Sequence, residues 1–509
     1  MIIIYHSNKA INSVVNSIYN EEIKVNSLTL TKLIFELALL YPDDLIFWCD
    51  IKFKDVWNLD RVPGIFHSKN IFSTYSVSGQ FVLSDSIHYV DNSFFCKPVR
   101  GVRSPTYFMS SEVGGIYSSL LTSFIGKVNP DEEFDYFLCS LAKLSIPMGV
   151  FCYSDPDFVT KANSGFSLQS TNPAIDFKFV SQHWKKRWLF FLLIALILKE
   201  NKFFFVSFFK SLFYRKINLS SIKFDLVDHG KGDSFDFEVL IPTIGRSEYL
   251  KMFLDDLAKQ KNLPKNVIII EQNPDINSNS ELFYLNTEFF PFNIIHHFTH
   301  TAGACNARNV GLDLVTSDWV FLADDDIRIS DKFFEKLFYL NQLKSDYAYT
   351  ISCLRPNEIK SKTIVHQWDS FGSGCSLVSN VILKRIRFDT RFEFGFGEDS
   401  DFGMQIRKLG YDVIYLPNPE IIHLKAPIGG FRTKPSLLWD NEEIPPKPSP
   451  TVFLLALKHK SAKQIYSFKL YLFLGYYFNQ TIKNPFKYFS YFKKQWNVSK
   501  IYAIKLLNQ

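Results

Sequence analysis

The seven cysteines of this 509-residue chain include no Cys-x-x-Cys pair, and their number is odd. Cys49, Cys96, Cys139, Cys152, Cys305, Cys353 and Cys375 are scattered. That argues against a disulfide framework and a thiolate zinc site, and for a reducing compartment. The opening "MIIIYHSNKA" reads as a strand and lacks the basic start and small-residue cleavage site of a secretion signal. The apolar run from Trp188 to Leu198 is eleven residues long, and Lys199, Glu200 and Lys202 break it off. A membrane-spanning helix needs roughly 20 residues. Acids are missing from the tail: Thr451–Gln509 holds ten lysines and no Asp or Glu. His183–Lys216 has eight Lys/Arg against one Glu. The whole chain is only +6, so two basic, aromatic segments adjoin an acidic body. No nucleic-acid-binding motif accompanies the positive charge, so no nucleic acid partner is expected. Trp and Phe interleaved with Lys and Arg fit helices lying in a lipid headgroup plane. The competing reading is a buried helix between domains followed by a solvated tail.

What is present is an ordinary globular composition, 47% hydrophobic and 21% charged, long enough for two or three domains. From "FEVLIPTIGR" (237–246) strand and helix signals alternate. "SEYLKMFLDDLAKQ" is helical, with Leu250, Phe253, Leu254 and Leu257 on one face and Ser247 at its cap. "NVIIIEQN" and "DWVFLADDD" read as buried strands, and "CNARNVGLDLV" as a helix between them. Such alternation predicts a parallel sheet covered on both faces, with ligands beyond the carboxyl ends of its strands. Glu271 and Asp324–Asp326 stand at such ends. The early segments "LIFWCDIKFKD" (45–55) and 114–156 follow the order of "WVFLADDDIRISD" and 372–419, which suggests a degenerate repeat. The first copy has one acid, Asp50, where the second has three.

Three adjacent aspartates repel one another unless they are fully hydrated or hold a cation. On an extended strand end Asp324 and Asp326 face one side. Hard oxygen ligands of this kind suit magnesium or manganese. A solvated turn is the plainer alternative. The triplet also half-matches the D-x-D-x-[TV] pattern of aspartyl-phosphate phosphatases, with Arg328 at the Thr/Val position. Glu398-Asp399-Ser400-Asp401 follow a glycine-rich approach and open a helix. Acids suit a helix N-terminus for structural reasons too. His423 follows a strand and could complete a metal shell or simply pack. His296, His297 and His300 read as loop residues in polar packing.

Taken in order, "VLIPTIGR", "VIIIEQN", "GACNARNVGL", "FLADDDI", "GFGEDSDFGMQIRKLGYDV" and "IIH" resemble the family 2 glycosyltransferases, over about residues 235 to 430. The "GFGEDSDF" stretch and His423 resemble the metal-dependent galactosyltransferase branch. The resemblance implies a GT-A fold, with a Rossmann-like, mostly parallel α/β sheet, and inversion by single displacement. It implies that Thr243 and Glu271 border the nucleoside, that Arg308 and Asn309 lie under the base, and that Asp324 and Asp325 serve the donor. It further implies that Asp326 and His423 bind Mn2+ or Mg2+, that Asp399 is the general base, and that Glu398 orients the acceptor. Glu271 departs from the commoner Asp.

The expected organisation is a degenerate GT-A-like α/β domain at 1–180, basic interfacial helices and linker at 181–234, the transferase domain at 235–440, and a Pro-rich linker with a basic tail at 441–509. The expected activity is transfer of a sugar, UDP-linked, to a glycan or lipid-linked acceptor for surface polysaccharide. The expected place is the cytoplasmic face of the membrane. A phosphatase using Asp324 and a non-catalytic glycan-binding scaffold are the alternatives.

Overall fold

The computed structural model describes residues 1–160, 172–218, 235–340, 343–427 and 436–509. Most of the linker expected before residue 235 therefore lies outside the described residues. The chain forms two compact units, Met1–Leu226 with Lys460–Leu472, and Val227–His459 with Phe473–Gln509.

In the second unit the strands are β9 (Phe237–Thr243), β10 (Asn266–Gln272), β11 (Asn293–Thr299), β12 (Trp319–Ala323), β13 (Ile327–Arg328), β14 (Tyr347–Leu354), β15 (His366–Gln367), β16 (Cys375–Ser379) and β17 (Asp412–His423). Their order is β11-β10-β9-β12-β16-β14-β17-β13, with β15 on β17. β9, β10 and β12 pair in parallel, as their continuous apolar runs predict, and β11, a half-exposed strand without such a run, joins them in parallel beside β10. β14 and β17 also pair in parallel, so the sheet is mostly parallel, and β16 enters it antiparallel to both β12 and β14. From β9 the chain moves out to β10 and β11, then returns to β12 on β9's other side. That reversal opens a crevice at the carboxyl ends of β9 and β12.

The helix Ser247–Ala258 buries Leu250, Phe253, Leu254 and Leu257 as its periodicity predicts. Ser247 is its first residue rather than its cap; Arg246 takes the cap position without a side-chain capping bond. The helix Ala304–Leu312 lies so close to β9 that a Cβ on Gly311 would sit 2.0 Å from Leu240 Cδ1.

The first unit has β1 (Ile2–Ser7), β2 (Ala10–Asn16), β3 (Glu21–Glu22), β4 (Leu45–Asp50), β5 (Ile71–Tyr75), β6 (Ser104–Pro105), β7 (Val113–Tyr117) and β8 (Phe151–Ser154). Their order is β3-β2-β1-β4-β7-β5-β8-β6. The run β1-β4-β7-β5-β8 has the same chain order, spatial order and relative directions as β9-β12-β16-β14-β17. A β1–β2 hairpin stands where the second unit has β10 and β11.

Both basic segments are built into the fold. The helix Arg187–Glu200 is not a detached interfacial helix: Leu189, Leu192, Leu193, Ala195 and Leu196 belong to the first unit's core. A run that is apolar all round buries one face and still leaves another outside. Phe190, Ile194 and Leu198 form that outer strip. In the tail, helix Pro485–Leu507 buries Tyr488, Phe492, Trp496, Ser499, Ala503 and Leu506 at helical spacing. The Trp496 and Phe453 rings meet at 4.7 Å.

Candidate functional site

Past Ala323 the three aspartates diverge. Asp325 turns into the crevice floor, accepting from Thr243 Oγ1 at 2.7 Å and Arg246 Nη1 at 2.8 Å. Burial pushes its carboxyl up to about 6. Asp324 and Asp326 come near His423, which pairing of Ile327 with His423 brings alongside. One ligand atom from each of Asp324, Asp326 and His423 lies within 4.8 Å of the others.

Asp326 is almost fully buried. Its Oδ2 accepts from Ala426 N at 2.8 Å and lies 3.3 Å from Arg246 Nη1. Its Oδ1 is buried without a well-aligned hydrogen bond; His423 Nε2 stands 3.2 Å away. Burial alone would raise this carboxyl, but His423, the Ala426 N–H and Arg246 together hold it below the usual range. Contact with Asp326 in turn raises His423. A buried carboxylate oxygen with an unused lone pair, a second carboxylate and an imidazole form a donor set that fits a divalent cation. Beside His423 opens a cavity of about 570 Å³, lined also by Cys353, Arg355, Pro356, Asn357 and Glu358.

Arg308 joins this cluster to the second acid pair. Its Nη2 donates to Asp324 Oδ1 at 2.9 Å, and its buried guanidinium acts electrostatically on Asp399 and Glu398 as well. Glu398 and Asp399 form the first turn of helix Glu398–Lys408, after Gly397 at φ 114°. Asp399 Oδ1 accepts from Ser373 N at 3.2 Å. Burial raises the Asp399 carboxyl, with Asp324 adding to the effect and Arg308 opposing it. Burial also raises Glu398, and Asp399 adds to that. A raised carboxyl is better matched to taking a proton near neutral pH.

The loop before β16 serves both carboxylates. Ser373 holds Asp399, while Gly374 O accepts from Asp324 N at 3.1 Å. A Cβ on Gly374 would lie 2.2 Å from Asp324 Oδ2, so only glycine leaves that carboxylate its place.

Other expected residues are bound up differently. Glu271, at the end of β10, accepts from Ser280 Oγ at 2.6 Å and Glu281 N at 2.7 Å, and meets His296 Nε2 at 2.9 Å. His296 and His297 are on strand β11, not in a loop. Asn309 spends both polar atoms on the Phe388 backbone, at 2.8 Å each, so its amide clamps a loop. Thr243 holds Asp325. Asp401 faces away from the pair and binds His459 at 2.6 Å and Lys458 at 2.5 Å. Arg328 is engaged by Asp256 at 2.6 and 2.7 Å.

Residues 238–403 match the model of Glycosyl transferase family 2. That segment is a family 2 glycosyltransferase domain. The chain is similar to the amylovoran biosynthesis glycosyltransferase AmsB of Erwinia amylovora, 27% identical over 266 residues, 46% of this chain and 82% of AmsB. Among solved structures it is similar to S. aureus TarS 1–349 in complex with UDP-GlcNAc, at 18% identity and TM-score 0.35, covering 49% of this chain and 75% of that one. For S. aureus TarS 1–349 alone the values are 19% and 0.31, covering 37% and 60%. It is also similar to GalNAc-T7 with UDP, GalNAc and Mn2+, at 13% identity and TM-score 0.33, covering 41% of this chain and 48% of that one.

Within the glycosyltransferase domain, residues outside the sequence expectation matter too. Arg246 spans Asp325 and Asp326; "IPTIGR" contains it but gives no sign of its partners. Glu393 caps helix Ala304–Leu312, accepting from Cys305 N at 3.2 Å and Asn306 N at 3.1 Å. Gly303, at φ 140°, leaves room for that carboxylate.

Proposed function

We propose that this glycosyltransferase is a metal-dependent, inverting hexosyltransferase that takes a UDP-linked sugar and transfers it to a glycan or lipid-linked acceptor in surface polysaccharide synthesis. The observation that carries the reading is convergence. Asp324, Asp326 and His423 form one cation-competent cluster, and Arg308 ties it to Glu398 and Asp399. The similarity to an amylovoran biosynthesis enzyme supports the acceptor class.

A bound divalent cation would be held by Asp326, Asp324 and His423 and would offset the charge developing on the departing diphosphate. Arg308 fixes the Asp324 carboxylate. Thr243 and Arg246 anchor Asp325, and through it the strand end carrying the cluster. The Glu271–His296 pair stands at the end of β10, where the nucleoside would lie. Asp399 takes the proton of the acceptor hydroxyl as that oxygen bonds to the anomeric carbon and the sugar–diphosphate bond breaks. Glu398 orients the acceptor. A single base, Asp399, suits a single displacement. A phosphatase reading would need Asp324 free to attack, yet Arg308 holds it.

No helix among the described residues is long and apolar enough to cross a membrane. The strip Phe190, Ile194 and Leu198 continues into exposed Phe205, Val206, Phe209 and Phe213, flanked by exposed Lys199, Lys202, Lys210, Arg215 and Lys216. That mixture supports peripheral attachment to an anionic leaflet, on the cytoplasmic side where nucleotide sugars are made.

The direct test is UDP release from a panel of UDP-sugars with Mn2+. Asp399→Asn should abolish transfer and leave metal-dependent UDP binding within a few fold of wild type. Loss of UDP binding in that variant would refute its assignment as base.

A further inference from the structure

The first unit carries a rearranged copy of the catalytic constellation. Strand register fixes the correspondence. Cys49 on β4 faces Val113 on β7, as Ala323 on β12 faces Cys375 on β16. One residue on, Asp50 N donates to Glu112 O at 2.7 Å, as Asp324 N donates to Gly374 O. One residue earlier in the partner loop, Ser111 N donates to Asp135 Oδ1 at 2.6 Å, as Ser373 N donates to Asp399 Oδ1. Asp135 lies in the first turn of helix Phe134–Ser145, as Asp399 does in its own helix. Asp50 thus occupies the place of Asp324, and Asp135 that of Asp399.

The position of Asp326 is taken by Lys52. Its Nζ lies 3.5 Å from Asp50 Oδ2 and 3.9 Å from Glu112 Oε1. Lys9, in the β1–β2 turn, pairs with Glu133 and, at 2.5 Å, with Asp135. An ammonium stands where a cation-binding carboxylate would be, and another neutralises the acid in the base position. Neither divalent-metal chemistry nor proton abstraction is supported by that set.

A cavity of about 470 Å³ nevertheless remains open over these residues, within the range of small-molecule sites of ~300–1,000 Å³. Its wall holds five carboxylates, Asp50, Glu112, Glu132, Glu133 and Asp135, against three ammonium groups, Lys9, Lys52 and Lys178. The acidic excess disfavours a diphosphate. Alternating carboxylates and ammoniums suit hydroxyls, each of which can donate to one and accept from the other. Phe81 and Tyr136 add apolar surface for the C–H face of a pyranose ring.

We propose that this cavity binds a neutral saccharide, without metal and without turnover. That the natural ligand is the enzyme's own glycan rests on the transferase reading; the duplicated constellation does not.

The test is isothermal titration of the full chain, in EDTA and without nucleotide, with neutral di- to tetrasaccharides of glucose, galactose and N-acetylhexosamines. Binding is expected, weakened at least tenfold by Phe81→Ala and by Lys52→Met, and unchanged by Asp399→Asn. Lys52 is half-exposed, so Lys52→Met should melt like wild type. The proposal is overturned if no neutral saccharide binds, if binding requires Mn2+, or if it is lost in Asp399→Asn and kept in Phe81→Ala. UDP release, measured separately, reports on the transferase reading alone, so either can fail without the other.

Discussion

Gly374→Ala tests how tightly the Asp324 carboxylate must be placed. The new methyl carbon would sit 2.2 Å from Oδ2 and 2.3 Å from Cγ of Asp324. Ordinary non-bonded contact begins near 3.5 Å, so the carboxylate must retreat by about 1 Å. That retreat breaks its 2.9 Å bond from Arg308. A hydrogen bond between charged groups is worth about 1.5–3 kcal/mol. A misplacement of about 1 Å at a reacting centre costs about a hundredfold in rate, or about 2.7 kcal/mol. The two routes agree, so kcat should fall about a hundredfold. The assay is Mn2+-dependent UDP release, expressed per folded protein from circular dichroism. Gly475→Ala, whose Cβ would meet nothing within 4 Å, should stay fully active. Wild-type turnover by Gly374→Ala would refute the claim that Asp324 acts from its observed position.

Other consequences are more local. Asp401→Ala removes one carboxylate from Lys458, which keeps Asp389, and the bond to His459, and should cost about 1.5–3 kcal/mol in urea denaturation; a change under about 1 kcal/mol, on the scale of surface pairs, would contradict the pairing. Gly311→Ala pushes a methyl into Leu240 and should destabilise by about 1–3 kcal/mol, read from the same transition. Burial, with Lys143 and Lys216, lowers His183 to about 3, so its folded state stays neutral while the unfolded chain takes a proton below about 6.5. Stability from this group is present above that pH and lost as pH falls; His183→Gln should therefore show a shallower acid dependence than wild type between pH 6.5 and 5, and equal slopes would contradict it. Phe209→Glu with Phe213→Glu should abolish cosedimentation with phosphatidylserine vesicles without changing UDP binding; undiminished cosedimentation would remove the apolar strip from membrane attachment.

The parts of this architecture legible in sequence are those with a local signature. Uninterrupted apolar runs gave away β9, β10 and β12, and period-3.6 spacing gave away the face of Ser247–Ala258. Strand alternation predicts Asp324 and Asp326 on one side; their carboxylates do come together, but Asp326 lies in the turn between β12 and β13 rather than on an extended strand end. What the sequence could not show depends on partners far along the chain. Asn309 looks like a donor contact until Phe388 takes both its polar atoms, 79 residues away. Arg246 looks like a turn residue until it spans two aspartates. The run Trp188–Leu198 could not say which of its faces would be buried, because it is apolar on all of them. The repeat was faint because its chemistry had diverged: Lys52 stands at the place of Asp326 and Lys9 is an added partner of Asp135, while the backbone bonds from Ser111 and Asp50 persist.

The central claim is that Asp324, Asp326 and His423 hold one cation that the nucleotide diphosphate shares. Calorimetric titration of UDP into wild type, Asp326→Ala and His423→Ala, each with Mn2+ and with EDTA, measures it directly. The account predicts binding in wild type that Mn2+ strengthens at least tenfold, and no such strengthening in either variant. Equal Mn2+ enhancement in all three proteins would contradict it.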